Sequence, residues 1–436
     1  MTGPRDRERI YRRWFALSLV LIGIGCAVGI AVPAGLGWDF ANFYDAGRRV
    51  ASGQAADLYS PRRLIASQPP QGSTGFFGAP LSALFYVPLA GFDARTALVL
   101  FKIQNVLAYA VTFAVVFNFC RAFVSGGRLA QSRFAAQFAF FCLLFQPFWT
   151  IFRVGGQTTP TVLMLLAIGL VMHTRRRFWG SAVTVVAAAV IKPSLVPALL
   201  LLAGVSGVAF AWRLGATLVA TGLLSLILVG WPAHAAFLDL MQRSSGLTYA
   251  WYFNSSIYVV LESLRQYAGP AAPAGVALST AIWILRGAVF VGILWLVHRA
   301  RREPWPASAH RHVQFTLAVV FFLLWSPTVW EHYLSLLFLP LMYVVAARAH
   351  FSRRALAIVA AILITSIAQN LILINWAREH IAFDSAPALV AAAIVKSTPL
   401  LLTMVLLGRH WREFFESYAA PAWKSLESAA APRAAG

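Results

Sequence analysis

Apolar runs long enough to cross a bilayer recur along the whole chain, separated by short arginine-bearing clusters. They predict helices near 14–36, 96–120, 134–152, 160–174, 178–192, 193–208, 214–232, 276–298, 313–327, 333–348, 355–375 and 387–408. The reading is an all-α polytopic membrane protein, a bundle of about 12 transmembrane helices with 11–13 allowed. Several runs are shorter than about 17 residues, the usual minimum for spanning. The pattern therefore predicts broken helices or displaced boundaries there. The segment Phe76–Phe92 is apolar but short and holds Pro80 and Pro88. Counting it as a crossing would reverse the sidedness of the arginines after it. It reads instead as a re-entrant or interfacial segment buried against protein.

Between the first run and Phe76 the period changes. In Trp38–Pro61, Phe40, Phe43, Tyr44, Gly47 and Val50 recur at helical spacing, with Asp39, Asn42, Asp45 and Arg49 on the other face. This predicts an amphipathic helix in the membrane interface. Asp39 would serve as its N-cap and Gly53 would end it. Read for function, the same Asp39 is a carboxylate at the mouth of a membrane cavity, available as a general base. The cap is the simpler account of the residue taken alone.

Composition agrees with the pattern: of 436 residues, 59% are hydrophobic and 12% charged. About a quarter would be charged in a soluble domain. The net charge of +21 could suggest nucleic acid. Its placement argues against that, because the arginines stand in clusters between apolar runs: Arg121/Arg128/Arg133, Arg175–Arg177, Arg213, Arg299/Arg301/Arg302, Arg348/Arg353/Arg354 and Arg409/Arg412. By the positive-inside rule these clusters are cytoplasmic. The chain then divides into a basic cytoplasmic N-terminus (1–13), a transmembrane domain (14–408) with its first extracytoplasmic loop at 37–75, and a loose cytoplasmic tail (409–436). Arg48, Arg49, Arg62 and Arg63 are exceptions, since they fall in that first loop. Cys26, Cys120 and Cys142 lie in or at the ends of apolar runs and read as small buried hydrophobes, not as a disulfide or metal set.

Four basic residues interrupt apolar segments: Lys102, Arg286 and Lys396 inside predicted helices, and Lys192 before Pro193 at a hairpin tip. A cation at such depth costs roughly 3 kcal/mol or more unless it meets a cavity or a partner. Lys102 could snorkel to the interface. Lys192 joins Gly155-Gly156-Gln157 and Trp330-Glu331-His332 as polar points at outer hairpin tips, a grouping suited to an anionic ligand such as a lipid phosphate. His332 stands in no two-His zinc spacing. No nucleophile elbow and no phosphate-cradling glycine loop occurs, so direct use of ATP is not expected. The outer-loop aromatics, among them Tyr44, Tyr59, Trp251, Tyr252, Trp330 and Tyr333, fit an aromatic belt in part.

Taken in order, DFxxFYxAGRxxxSG…LY at Asp39–Tyr59, APLSALFYVPLAGF at Ala79–Phe92, GGQ at Gly155–Gln157, IKPS at Ile191–Ser194, NSSIY at Asn254–Tyr258 and SPTVWEHY at Ser326–Tyr333 resemble glycosyltransferase family 87 of the GT-C superfamily. These are bacterial polyprenyl-phosphate-mannose-dependent α-mannosyltransferases, and the resemblance spans about Trp38 to Val345. It implies a GT-C-like bundle in the bacterial inner membrane, with its active site on the extracytoplasmic face. The sugar, mannose in the family, would pass from a polyprenyl-phosphate donor to a lipid or glycan acceptor. Asp39 would be the general base, with Lys192, and His332 or Arg265, near the donor phosphate. Tyr44, Asp45, Tyr59, Gln157, Asn254 and Trp330 complete the expected substrate-binding set. No cofactor or obligatory metal is expected, since no DxD pair stands in the first loop. A transporter or flippase for a lipid-linked sugar shares the helix count and the intramembrane cations. Such proteins usually bind near the midplane and show inverted repeats, and no repeat is visible here. A non-catalytic scaffold would leave Asp39, Lys192 and His332 without a joint role.

Overall fold

The computed structural model describes residues 3–32, 38–60, 75–152, 156–244, 254–367 and 386–430. Among these residues the chain is helical with no strand; a single antiparallel bridge joins Asn254 to Trp330. The helices are α1 (Pro4–Ala31), α2 (Trp38–Ala51), α3 (Ala94–Cys120), α4 (Arg128–Leu144), α5 (Gln146–Trp149), α6 (Thr159–Thr174), α7 (Phe178–Ile191), α8 (Val196–Ser206), α9 (Val208–Val229), α10 (Trp231–Ser244), α11 (Val259–Ala268), α12 (Pro273–Arg301), α13 (Ala307–Trp325), α14 (Phe338–Ala346), α15 (Arg353–Ile367), α16 (Ala386–Ser417) and α17 (Pro421–Ala430). Six described helices are long and apolar enough to span: α1, α3, α9, α12, α13 and α16. The protein is an all-α polytopic membrane protein.

The remaining apolar helices are short in fact, not through misplaced boundaries. His173 at the end of α6 bonds Ser206 at the end of α8 (3.1 Å), and Arg311 near the start of α13 donates to Thr174 O (3.0 Å). Arg301 at the end of α12 donates to Val205 O (2.7 Å). These contacts gather one end of the bundle, which also carries Arg175–Arg177 and is here called the basic end. From it, α6 has 16 residues and α7 has 14. At 1.5 Å per residue they rise about 24 and about 21 Å, well short of a hydrocarbon core about 30 Å thick. Their far ends, Gln157 and Lys192, are therefore recessed below the opposite face.

Other expectations need adjustment. The run 134–152 does not form one helix: α4 ends at Leu144, and the chain resumes through Gln146–Phe152 at a 54° bend. Pro147 supplies the cause, since it lacks an N–H and its ring clashes with the preceding turn. α9 begins at Val208, after Gly207 with φ +83°, and not at 214. α10, α11 and α17 were not foreseen. The C-terminal segment is not loose: Trp423 is fully buried, its indole N–H donates to the Tyr343 hydroxyl (3.2 Å), and Ser308 Oγ donates to Trp423 O (3.0 Å). The last part of the predicted helix 355–375, beyond Ile367, lies outside the described residues, as do Arg62, Arg63, Gly155, Trp251 and Tyr252.

Phe76–Phe92 is a 3-10 helix over Pro80–Gly91, not a span, packed along α2. Pro80 and Pro88 suit a segment that is too short to cross and gives up backbone donors. Gly47 of α2 sits on the Tyr86 carbonyl so closely that a Cβ there would overlap the backbone. Tyr86 stacks on Phe43 with ring centroids 5.0 Å apart. The amphipathic helix expected within Trp38–Pro61 is present over Trp38–Ala51, and Gly53 ends it with φ +72°. Its polar face is covered as well as its apolar one, because Asn42, Asp45 and Arg49 are buried beside Phe40 and Tyr44. α2 is thus packed within the protein.

Candidate active site

Asp39 lies in the first turn of α2. Its carboxylate accepts a hydrogen bond from the Gln157 side-chain amide, 118 residues away. Gly156 makes that approach possible, with φ +82° and the Phe40 Cβ and Phe101 ring where its own Cβ would lie. Any larger residue would separate the GGQ turn from α2.

Lys192 occupies the non-helical link at the apex of the α7–α8 hairpin, where Pro193 prevents continuation of α7. The last turn of α7 is joined to the start of the 3-10 segment by Ala79 N donating to Val190 O (3.2 Å). Its ammonium lies 3.3 Å from the centroid of the Tyr333 ring and within electrostatic reach of both Asp39 and His332. A cation against an aromatic face gains about 2 kcal/mol when desolvated. Burial still dominates, pushing the Lys192 ammonium down to about 7 against the pull of Asp39. The Asp39 carboxyl is shifted upward by loss of solvent, and the Gln157 bond and Lys192 oppose the shift. Tyr86 and Tyr333 wall the carboxylate.

His332 enters from the 3-10 stretch Glu331–Leu337 that precedes α14. Asn254 fixes this stretch through its side chain: Oδ1 accepts from Val329 N (2.9 Å) and Ser256 N (2.9 Å), and Nδ2 donates to Pro327 O (3.1 Å). Glu331, adjacent to His332, forms a buried ion pair with Lys396 of α16. Lys396 was visible in the sequence as a cation inside an apolar helix and Glu331 as a polar point at an outer hairpin tip, but their pairing was not.

Of the expected set, the structure brings Asp39, Gln157, Lys192 and His332 together. Asn254 and Trp330 support the loop that carries His332, joined by their backbone bridge. Tyr44 and Tyr59 spend their hydroxyls on structure, donating to Phe92 O (2.6 Å) and Gly78 O (2.7 Å). Asp45 is buried on α2. Arg265 is engaged two-pronged by Glu262 on α11, and no described contact brings it to the cluster. Tyr86 and Tyr333 were missed as site walls. The signal for both was their position inside two of the quoted motifs, and Tyr333 also stood among the outer-loop aromatics. Lys102 does not snorkel: it is buried and donates to Gly29 O (2.9 Å) and Val32 O (3.2 Å), satisfying carbonyls at the C-terminal end of α1.

The fold and the cluster define a helical membrane protein with a carboxylate, an amide, an amine and an imidazole gathered in one recessed site. Residues 76–327 match the family model for glycosyltransferase family 87. That is more than half of the 436 residues, and the chain belongs to this family. It is a membrane glycosyltransferase. The matched stretch includes Gln157, Lys192, Asn254 and Arg265, whereas Asp39, Trp330 and His332 fall outside it. No curated protein and no solved structure matches the chain.

Proposed function

We propose that this glycosyltransferase moves a sugar, mannose by its family resemblance, from a polyprenyl-phosphate donor to a lipid or glycan acceptor at the extracytoplasmic face of a bacterial inner membrane, with inversion. The observation that carries this reading is the meeting of the Asp39 carboxylate with Lys192 and His332 at the recessed ends of short helices. A lipid-borne donor reaches such a depth from the bilayer, whereas a soluble nucleotide sugar would have to leave water.

The chemistry balances with the groups present. Asp39 takes the proton of an acceptor hydroxyl as that oxygen attacks the anomeric carbon from the face opposite the phosphate. The bond between anomeric carbon and phosphate oxygen breaks, and the polyprenyl phosphate leaves with the electron pair. A phosphate needs no proton to depart, so one carboxylate serves where an inverting hydrolase needs two. Lys192 and His332 stabilise the charge developing on the leaving phosphate. Gln157 aims the carboxylate and Tyr333 holds the ammonium. Burial raises Asp39 toward the operating pH, which makes it a stronger base than a solvated carboxylate.

Purified protein in nanodiscs, given a panel of polyprenyl-phosphate sugars and membrane-lipid acceptors, should transfer at least one sugar. Asp39→Asn should abolish transfer while leaving folding and expression intact. Substantial transfer by a folded Asp39→Asn protein would sink the base assignment. Failure of every donor while the protein still binds a polyprenyl-phosphate sugar would favour the transporter reading instead.

A further inference from the structure

Arg286 lies in the middle of α12, on a stretch whose neighbours Trp283, Ile284 and Val291 face outward with 59%, 68% and 63% of their surfaces open. Arg286 as a residue is about nine-tenths buried, with 9% of its surface open. Its guanidinium carbon sits 4.4 Å from the Trp283 ring centroid and 4.6 Å from that of Trp325, in cation–π contact with both indoles. No carboxylate pairs with it among the described residues, and its Nε has no hydrogen-bond partner. Its other near polar group is Tyr258, whose hydroxyl is committed to Leu324 O (2.7 Å).

Such an arrangement lacks a counter-charge. A guanidinium at membrane depth costs several kcal/mol unless an anion or water meets it. Two indole faces offset a share of that, about 2 kcal/mol for each well-placed desolvated cation–π pair, but they supply no negative charge. Neither ring offers a hydrogen-bond acceptor of the kind the guanidinium's N–H donors need, so those donors remain for a ligand. Phe290 and Phe321 extend the aromatic wall around Trp325, and Trp283 borders the lipid-facing surface.

The depth of this group is informative. From Arg286 to Arg301 at the basic end α12 rises about 23 Å. Lys192 stands about 21 Å above the same end. Arg286 and Lys192 thus stand at similar heights along their own helices, and Arg286 lies beside Tyr258 and Trp325, next to the Asn254–Tyr258 and Ser326–Trp330 segments. A phosphate there would be drawn below the ordinary headgroup plane.

We propose that Arg286, framed by Trp283 and Trp325, is a binding site for the phosphate of a membrane lipid, distinct from the Lys192 cluster and open to the bilayer. The chemistry is a phosphate monoester or diester received by the guanidinium edge, with the acyl or prenyl chain along the exposed face of α12. Two sources share that chemistry, a polyprenyl phosphate and a bulk anionic phospholipid.

The test is lipid affinity, measured without acceptor so that it is independent of transfer. The probes are a sugar-free polyprenyl phosphate and phosphatidylglycerol, with phosphatidylcholine as the background lipid and native mass spectrometry or thermal shift as readout. Arg286→Gln should weaken binding about tenfold, the scale of one charge-assisted phosphate contact, and Arg286→Lys should fall between it and wild type. Loss confined to the polyprenyl phosphate assigns the site to the carrier, and loss of both probes assigns it to lipid phosphates generally. Either outcome upholds the proposal. Should Arg286→Gln fail to fold, Trp283→Ala, on the outward surface, is the second variant and should lower affinity for the same probe. Unchanged affinity for both probes in the folded variants overturns the site. Because Asp39→Asn leaves Arg286 untouched, it should keep this lipid affinity whatever happens to transfer.

Discussion

At the residue scale, the site depends on two groups whose charges are set mainly by burial, with each pulling the other back toward its charged form. Asp39 is raised by burial, so its base form appears only as pH climbs above the ordinary carboxylate range. Lys192 is pushed down to about 7, so its positive charge is lost as pH rises through that value. The sign follows from these two directions: kcat/KM, which reports the free enzyme, should rise from acid pH and fall again through about pH 7. Lys192→Arg keeps a charge that does not titrate in this range, and the alkaline fall should move up or vanish even if the maximum is lower. A profile for Lys192→Arg identical to wild type would remove Lys192 from the alkaline limb. Gln157→Ala, which removes the amide from Asp39, should lower kcat by roughly ten- to a hundredfold, the range over which positioning of a catalytic group acts. It should also shift the acid limb upward, since the bond it deletes lowers the Asp39 pKa. These residues were legible in the sequence as polar points in apolar surroundings. Their partners were not, because the Asp39–Gln157 contact spans 118 residues and no local period encodes it.

At the element scale, what positions the site is close backbone approach. Gly47 admits the Tyr86 carbonyl to α2, and Gly156 admits Phe40 and Phe101 to the GGQ turn. Gly47→Ala should cost about 1–3 kcal/mol, the usual range for overpacking, read as a lowered Tm with reduced transfer. Gly156→Ala adds strain at a positive φ and should damage transfer more than it lowers Tm, because Gln157 moves with it. If both variants kept wild-type Tm and rate, the contact between α2 and the 3-10 segment would carry no positioning role. The amphipathic period of 38–51 and its glycine stop were readable because periodicity and a left-handed terminus are local properties. The covering of its polar face was not, since it depends on which segments fold over α2. The short runs at 160–174 and 178–192 conflicted with a full-length crossing. The conflict is resolved by depth: these helices stop below the far face, and their tips form the floor of the site.

At the scale of the whole molecule, the basic end closes with an element that composition alone had marked as a loose tail. Trp423 of α17 packs 4.4 Å from the Phe123 ring centroid and 5.1 Å from that of His312, and its indole N–H donates to Tyr343. His312 is bonded in turn to the Tyr418 hydroxyl (2.8 Å). Within Pro421–Ala430 one aromatic residue in an Ala-rich sequence is too weak a periodic signal to predict docking of α17. Trp423→Ala should cost about 3–5 kcal/mol, as deletion of a fully buried large aromatic generally does, and lower Tm accordingly. α17 lies at the end of the bundle opposite Lys192 and shares no described contact with Asp39, Gln157 or His332. Transfer measured well below the new Tm should therefore stay within about threefold of wild type, a change of under 1 kcal/mol in the barrier. A variant whose transfer collapsed while its Tm held would show the opposite, that the closed basic end is coupled to the catalytic cluster through α13 and α14.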